Sequence, residues 1–164
     1  MNLLPALRAA LILILAAMPS GTKAQDYTAG DLRIFHPHLP QPAAKALSAA
    51  GYFAITNTGL HDDRLIGIET PAASASLHLS QVDDNGVATM MALDGLDIAV
   101  GTTVTLAPGG LHVMMTGLAG PLTHGDMVPA TMIFAIAGRV DIAFMVEEPA
   151  GGGHSAMDHG AKTP

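Results

Sequence analysis

The chain has 164 residues, of which seven are Lys or Arg, 14 are Asp or Glu, eight are His, ten are Met and none is Cys. Without a thiol it cannot form a disulfide scaffold, an iron–sulfur cluster, a Cys-ligated zinc site or a blue-copper site. The side chains left to bind a soft metal are thioether and imidazole. The length suits one domain with a single core.

The first 24 residues have the pattern of a secretory signal peptide. Arg8 precedes an apolar run from Ala9 to Met18, which is too short to span a bilayer. We expect cleavage after Ala24; an uncleaved membrane anchor is the alternative, and the length of the run argues against it. The cleaved chain would keep five basic and all 14 acidic residues. Such an acidic balance argues against nucleic acid and anionic membrane surfaces as partners.

The segment after the leader predicts β structure. Residues 25–48 contain one predicted strand, Leu32–Phe35, followed by a proline-rich stretch that we expect to break it. The body, residues 49–148, contains eight short runs rich in β-branched and aliphatic residues, separated by turn residues. These runs are Gly51–Thr56, Arg64–Glu69, Ala75–Val82, Val87–Leu93, Thr102–Leu106, Leu111–Thr116, Val128–Ile136 and Val140–Glu147. About eight strands with tight turns predict an all-β sandwich or Greek-key barrel.

Two turn-forming features refine this strand prediction. Asn85-Gly86 favours a hairpin between two of the runs, because both residues tolerate positive φ. Pro129 has no amide hydrogen to donate, so it predicts an edge strand or the start of a strand.

Strand alternation groups three chemically active side chains. His78 lies on the face of its strand opposite to the aliphatic residues, so it should point away from the core. His112 and Met114, two residues apart, should share the outward face of another strand. Either Met90 or Met91 could add a further ligand, but adjacent strand residues face opposite sides. We expect the remaining strand methionines to be core residues: Met91, Met115, Met127, Met132 and Met145.

The spacing of these residues resembles a known family. His78 is followed by Leu79, ten residues and then Met90; after 21 more residues come His112, Val113 and Met114. This matches the H-(M)-x10-M-x21-H-x-M signature of the periplasmic copper chaperones called PCu(A)C, apart from Leu79 at the optional Met. Flanking segments between residues 49 and 148 also look like the family. Four such residues at fixed offsets arise by chance in about 10⁻³ of chains of this composition, so the motif is specific.

The resemblance implies a fold, a cargo and a role. Family members share a cupredoxin-like β-barrel and carry Cu(I) towards the Cu(A) centre of cytochrome oxidase. The ligands implied here are His78, Met90, His112 and Met114. Thioethers favour Cu(I), imidazole is acceptable to it, and a set without carboxylate or thiolate suits zinc poorly. We therefore expect a monomeric, non-enzymatic copper carrier in the periplasm of a Gram-negative bacterium, with a cytochrome oxidase subunit or another copper chaperone as its partner.

Several other histidines lie outside this motif. Residues 149–164 form a Gly-rich tail whose composition predicts flexibility, and it holds His154, Met157 and His159 within six residues. These residues are either an inert end or an accessory ligand set. Such a set would either capture Cu(II), because imidazole suits Cu(II) better than thioether does, or close over the main site. His36 and His38 flank Pro37 and form a weak chelating pair. His61 and His124 lie in loops beside acidic residues and should be solvated.

Other functions remain open on the sequence alone. An exported copper-sequestering or resistance protein would need the same ligands but no dedicated recipient. A copper oxygenase of the histidine-brace type needs a mature N-terminal His, whereas Gln25 is the predicted terminus. A hydrolase is poorly supported, since no Ser-His-Asp order and no Gly-x-Ser-x-Gly motif occurs.

Overall fold

The computed structural model describes residues 25–149. The predicted signal peptide and nearly all of the predicted tail, including His154, Met157 and His159, lie outside these residues. The described segment contains eleven β-strands: β1 Tyr27–Ala29, β2 Leu32–Pro40, β3 Ser48–Asn57, β4 Asp63–Glu69, β5 Ser74–Val82, β6 Ala88–Leu93, β7 Leu96–Ile98, β8 Thr103–Thr105, β9 Leu111–Thr116, β10 Met127–Phe134 and β11 Arg139–Glu147. No helix occurs between residues 25 and 149, so that segment has no helical candidate for a membrane span.

The strands form one continuous sheet that curls into a nearly closed, barrel-like shape. Its order is β6-β5-β9-β3-β2-β11-β10-β4-β7, with β1 added to β2 and β8 added to β3. The pair β2–β11 is parallel, and the other strand pairs of the described segment are antiparallel. The expectation of an all-β barrel is therefore confirmed.

Aliphatic and aromatic side chains from the inner face of the sheet fill the core. Phe53 of β3 and Phe144 of β11 are almost fully buried, with their ring centroids 6.4 Å apart. Val113 and Met115 of β9 are fully buried in the same hydrophobic core. Because β-strand side chains alternate, these inward positions fix the outward direction of their neighbours His112 and Met114.

Strand β2 is longer than the sequence predicted, because the proline-rich stretch does not end it. The register between β2 and β3 shifts between Phe35 and His38, which is a β-bulge, and His36 has a positive φ of 47°. Pro37 lies within the bulge and has no ladder partner, so its missing amide hydrogen breaks no ladder hydrogen bond. The three-residue strands β1 and β7 were missed because they are too short to show alternation.

Two of the five methionines expected in the core are fully buried, Met115 and Met132. The expectation was wrong for Met91, which is 54% exposed, and for Met127, which is 39% exposed. Met91 lies on β6, an edge strand whose residues are mostly exposed. Met127 is the first residue of β10. Met145 is half-buried, since it alternates with the buried Phe144 and Val146 and so faces outward.

Candidate metal centre

Three adjacent strands bring the four motif residues to one outward face of the sheet. In the β5–β9 ladder, His78 lies directly opposite His112, and Ser76 lies opposite Met114. In the β5–β6 ladder, Ser80 lies opposite Met90. Residues directly opposite each other share a face, and so do residues two apart along a strand. His78, Met90, His112 and Met114 therefore lie side by side, as the spacing predicted.

The two imidazole rings are separated by a distance that suits an ion between them. Their centroids are 5.8 Å apart and their planes are inclined by 31°. A metal–nitrogen bond of about 2.0 Å places an ion about 3 Å from the centroid of each ring. Two rings on roughly opposite sides of one ion would then have centroids about 6 Å apart. His78 and His112 thus need little movement to bind a common ion.

Hydrogen bonds orient both rings. The Nδ1–H of His112 donates to the Gly110 carbonyl oxygen at 3.0 Å, which leaves the lone pair of Nε2 for a metal. The Nε2 of His78 lies 3.0 Å from the Ser76 hydroxyl oxygen. The Nδ1 of His78 is buried and has no hydrogen-bond partner within the described residues. A bound ion would therefore satisfy a polar atom that otherwise has none, and Nε2 would then donate to Ser76.

The site combines a rigid base with an open edge. His112 is 6% exposed, and Leu77, Val113 and Met115 are buried on the opposite face of the same strands. Met90, in contrast, is 54% exposed on the edge strand β6. The centre therefore has one buried imidazole and one accessible thioether, an arrangement through which a partner protein can reach a bound ion.

Tyr52 lies on the next strand along the same outer face. The β3–β9 ladder pairs Gly51 with Val113, and Tyr52 and His112 are the next residues along each strand. Tyr52 is 9% exposed, and burial raises the pKa of its phenol. The phenol therefore stays protonated at neutral pH, which makes it a poor metal ligand.

The other histidines separate into two groups. His61 and His124 are exposed in loops, as the sequence predicted. His36 and His38 come together with Glu147, whose Oε1 lies 2.6 Å from the His36 Nε2. Sequence reasoning identified the two histidines but missed Glu147. It is 111 residues away, and the parallel pairing of β2 with β11 joins the two segments.

Comparison with known protein sequences matches this chain to one family and to one relative, both described as lipoproteins. Residues 32–146 match the sequence model of the LpqE-like lipoprotein family. A protein of Leifsonia xyli subsp. xyli that is named as a lipoprotein, Lxx21020, is 34% identical over 110 residues. That match spans 66% of this chain and 66% of the Leifsonia protein, just under two thirds of its length.

Three solved structures have the same fold, and two of them contain copper. The copper-bound PCuAC domain from PmoF2 superposes with a TM-score of 0.66 at 28% identity, covering 76% of this chain and 99% of that domain. The Cu(I) form of DR1885 from Deinococcus radiodurans superposes with a TM-score of 0.56 at 29% identity, covering 84% of this chain and 89% of that protein. The apo PCuAC domain from PmoF1 superposes with a TM-score of 0.65 at 27% identity, covering 76% of this chain and all of that domain.

Proposed function

The chain belongs to the LpqE-like family and has the cupredoxin-like fold of PCuAC copper chaperone domains, and from this we propose that it is an exported chaperone that carries Cu(I). We assign the ion to His78, Met90, His112 and Met114. The observation that carries the assignment is the shared outward face of β5, β6 and β9, on which His78 and His112 stand directly opposite each other. The protein acts by binding and handing over the ion rather than by catalysis.

The donor set favours the monovalent ion. Two thioethers and two imidazoles include no carboxylate and no thiolate, so they suit Cu(I) better than Zn(II) or Cu(II). Thioethers also need no deprotonation before they bind. The exposed thioether of Met90 favours transfer, because an acceptor can displace that ligand first. Two of the similar solved proteins hold copper, and in DR1885 the ion is Cu(I).

We propose delivery towards the Cu(A) centre of cytochrome oxidase, either directly or through another copper chaperone. The competing role is sequestration, in which an exported protein holds copper without a dedicated recipient. A deletion strain distinguishes the two. Delivery predicts a loss of oxidase activity that added copper restores, whereas sequestration predicts copper sensitivity with normal oxidase activity.

We propose export to the periplasm after removal of residues 1–24, with residues 25–148 as the copper-binding domain. The lipoprotein name of the Leifsonia relative also favours export. In the proposed tail, residues 149–164, the residues His154, Met157 and His159 serve as an accessory ligand set for Cu(II).

Met90 and Met91 provide a matched test of the main site. Both are 54% exposed, they are adjacent on the edge strand β6, and they point to opposite faces. Met90→Leu should weaken Cu(I) binding in an anaerobic competition titration with a chromophoric Cu(I) chelator. Met91→Leu should bind Cu(I) as the wild type does. Because both side chains are exposed, neither substitution should change the unfolding free energy by more than about 0.5 kcal/mol.

The double variant His112→Ala/Met114→Ala removes one imidazole and one thioether and should lose tight Cu(I) binding. Wild-type affinity in that variant, or equal affinity losses in Met90→Leu and Met91→Leu, would show that the ligands have been assigned wrongly.

A further inference from the structure

A second cluster of donor atoms lies at the bulge of β2. Within residues 25–149, His36, His38 and Glu147 form the one group of three His, Cys, Asp or Glu side chains whose potential ligand atoms lie within 4.8 Å of one another. The His36 Nε2 is 2.6 Å from Glu147 Oε1, and the two histidine rings stack with centroids 4.4 Å apart. We propose that these three side chains bind a divalent metal ion, with Cu(II) preferred over Zn(II).

The tautomer of His38 is set for metal binding. Its Nδ1 lies 2.9 Å from the His36 carbonyl oxygen. A carbonyl oxygen can only accept, so Nδ1 carries the proton and the lone pair lies on Nε2. A backbone carbonyl that holds one ring nitrogen while the other faces a metal is the usual arrangement of a histidine ligand.

A divalent ion would take the place of the proton between His36 and Glu147. Ligand atoms around an ion with bonds near 2.0 Å lie about 3–4 Å apart, so the His36–Glu147 contact needs to widen by only about 1 Å. Both side chains are accessible, with 48% of the His36 side chain and 32% of the Glu147 side chain exposed. Entry of the ion therefore requires no opening of the core.

The backbone at His36 also favours a binding role. His36 is the one non-glycine residue of the described segment with positive φ. This conformation is unfavourable for a residue with a Cβ, and such strain clusters at functional sites. An exposed ion pair contributes little stability, so the pairing of His36 with Glu147 does not by itself account for the bulge. Binding of an ion would account for the bulge, because the bulge brings the ring centroids of His36 and His38 within 4.4 Å of each other.

The chemistry of this cluster differs from that of the main site. It contains two imidazoles and a carboxylate, which suit Cu(II) and Zn(II), and the Irving–Williams order places Cu(II) above Zn(II). The two sites are also distinct in space. Tyr52 pairs with His38 on one side and follows Gly51, the partner of Val113, on the other. Two strand spacings, or about 10 Å, therefore separate the backbone of His38 from that of His112.

The test is a Cu(II) titration of the full mature chain, with a parallel Zn(II) titration, for the wild type and three variants. His36→Asn removes one ligand while keeping a residue that tolerates positive φ. His38→Gln and Glu147→Gln each remove one further ligand. His61→Gln is the control, since His61 is an exposed histidine in a loop.

We expect each of the three variants to lose one Cu(II) equivalent, or to bind it at least about 10-fold more weakly, since a loss of about 10- to 100-fold already follows when only the hydrogen-bond partner of a metal ligand is removed. The control should match the wild type. In NMR spectra, Cu(II) should broaden the amides of His36, His38 and residues 145–147 in the wild type, and less in His38→Gln. Equal Cu(II) stoichiometry and affinity in all variants, with unchanged broadening, would overturn the proposal.

A Cu(I) titration of the same variants separates this inference from the proposed function. The three variants should keep wild-type Cu(I) affinity, whereas Met90→Leu should lose Cu(I) affinity and keep its Cu(II) stoichiometry. Loss of Cu(I) affinity in His36→Asn, His38→Gln or Glu147→Gln would count against a separate second site. Wild-type Cu(I) affinity or a changed Cu(II) stoichiometry in Met90→Leu would count against the main site.

Discussion

The hydrogen bond between His78 and Ser76 gives a measurable prediction for the main site. The Ser76 hydroxyl oxygen lies 3.0 Å from the His78 Nε2 and holds the ring with Nδ1 available to an ion. Ser76→Ala removes that contact but no ligand. An ordinary hydrogen bond contributes about 0.5–1.5 kcal/mol, and a tenfold change in affinity corresponds to about 1.4 kcal/mol. The expected loss of Cu(I) affinity is therefore about 2- to 12-fold. Because Ser76 is exposed, we expect a loss in the lower half of that range.

Ser80→Ala is the matched control for this prediction. Ser80 lies on the same face of β5 and opposite Met90, and its side chain makes no hydrogen bond to a residue of the described segment. The assay is competition with a Cu(I) chelator at fixed pH under anaerobic conditions. Thermal unfolding of both variants should match the wild type, since both changes are near the surface. If Ser76→Ala bound Cu(I) as tightly as Ser80→Ala, the hydrogen bond would not orient a ligand.

Three further predictions concern the fold and the tail. Asn57→Ala should destabilise the domain by about 2–4 kcal/mol in urea unfolding, because the buried side-chain amide donates to the His61 and Ile98 carbonyls and accepts from the Gly59 amide. The control Thr58→Ala, which removes an exposed hydroxyl, should lower the unfolding free energy much less. Equal losses of unfolding free energy in the two variants would contradict this prediction. Hydrogen bonds from the Thr123 backbone amide and hydroxyl lower the pKa of Asp126, so its carboxylate stabilises the fold above about pH 4 and that contribution disappears as the pH falls through the lowered value. The stability advantage over Asp126→Asn should therefore shrink in acid unfolding, and a constant difference would refute the reasoning. Deleting residues 151–164 should lower Cu(II) stoichiometry and spare Cu(I) binding, and unchanged Cu(II) titrations would exclude an accessory site in the tail.

The sequence predicted that His78, His112 and Met114 face outward, because strand alternation is a local rule. Once His78 is assigned to an outward position, the alternation of side chains along each strand determines whether His112, Met114 and Met90 can lie on the same face. The registers of β5 with β9 and with β6 place all four residues on one face. Alternation alone left Met90 and Met91 open, and the family spacing implied Met90; the β5–β6 ladder places Met90 on the face of His78, although both methionines are equally exposed.

The sequence could not predict features that depend on strand order. The burial of Met91 was predicted from strand alternation and that of Met127 from its apolar surroundings, but exposure depends on whether a strand lies at an edge and where it begins. The association of Glu147 with His36 arises from the parallel pairing of β2 and β11, which joins distant segments. The bulge that holds His36 and Pro37 likewise has no periodic signature.

X-ray absorption of the Cu(I)-loaded protein, prepared as residues 25–164, tests the proposed copper site most directly. We predict a first shell of imidazole nitrogen and thioether sulfur, two of each, from His78, His112, Met90 and Met114. Replacing Met90 and Met114 by Leu should remove the sulfur contribution. A first shell of nitrogen and oxygen alone in the wild-type protein would contradict the assignment.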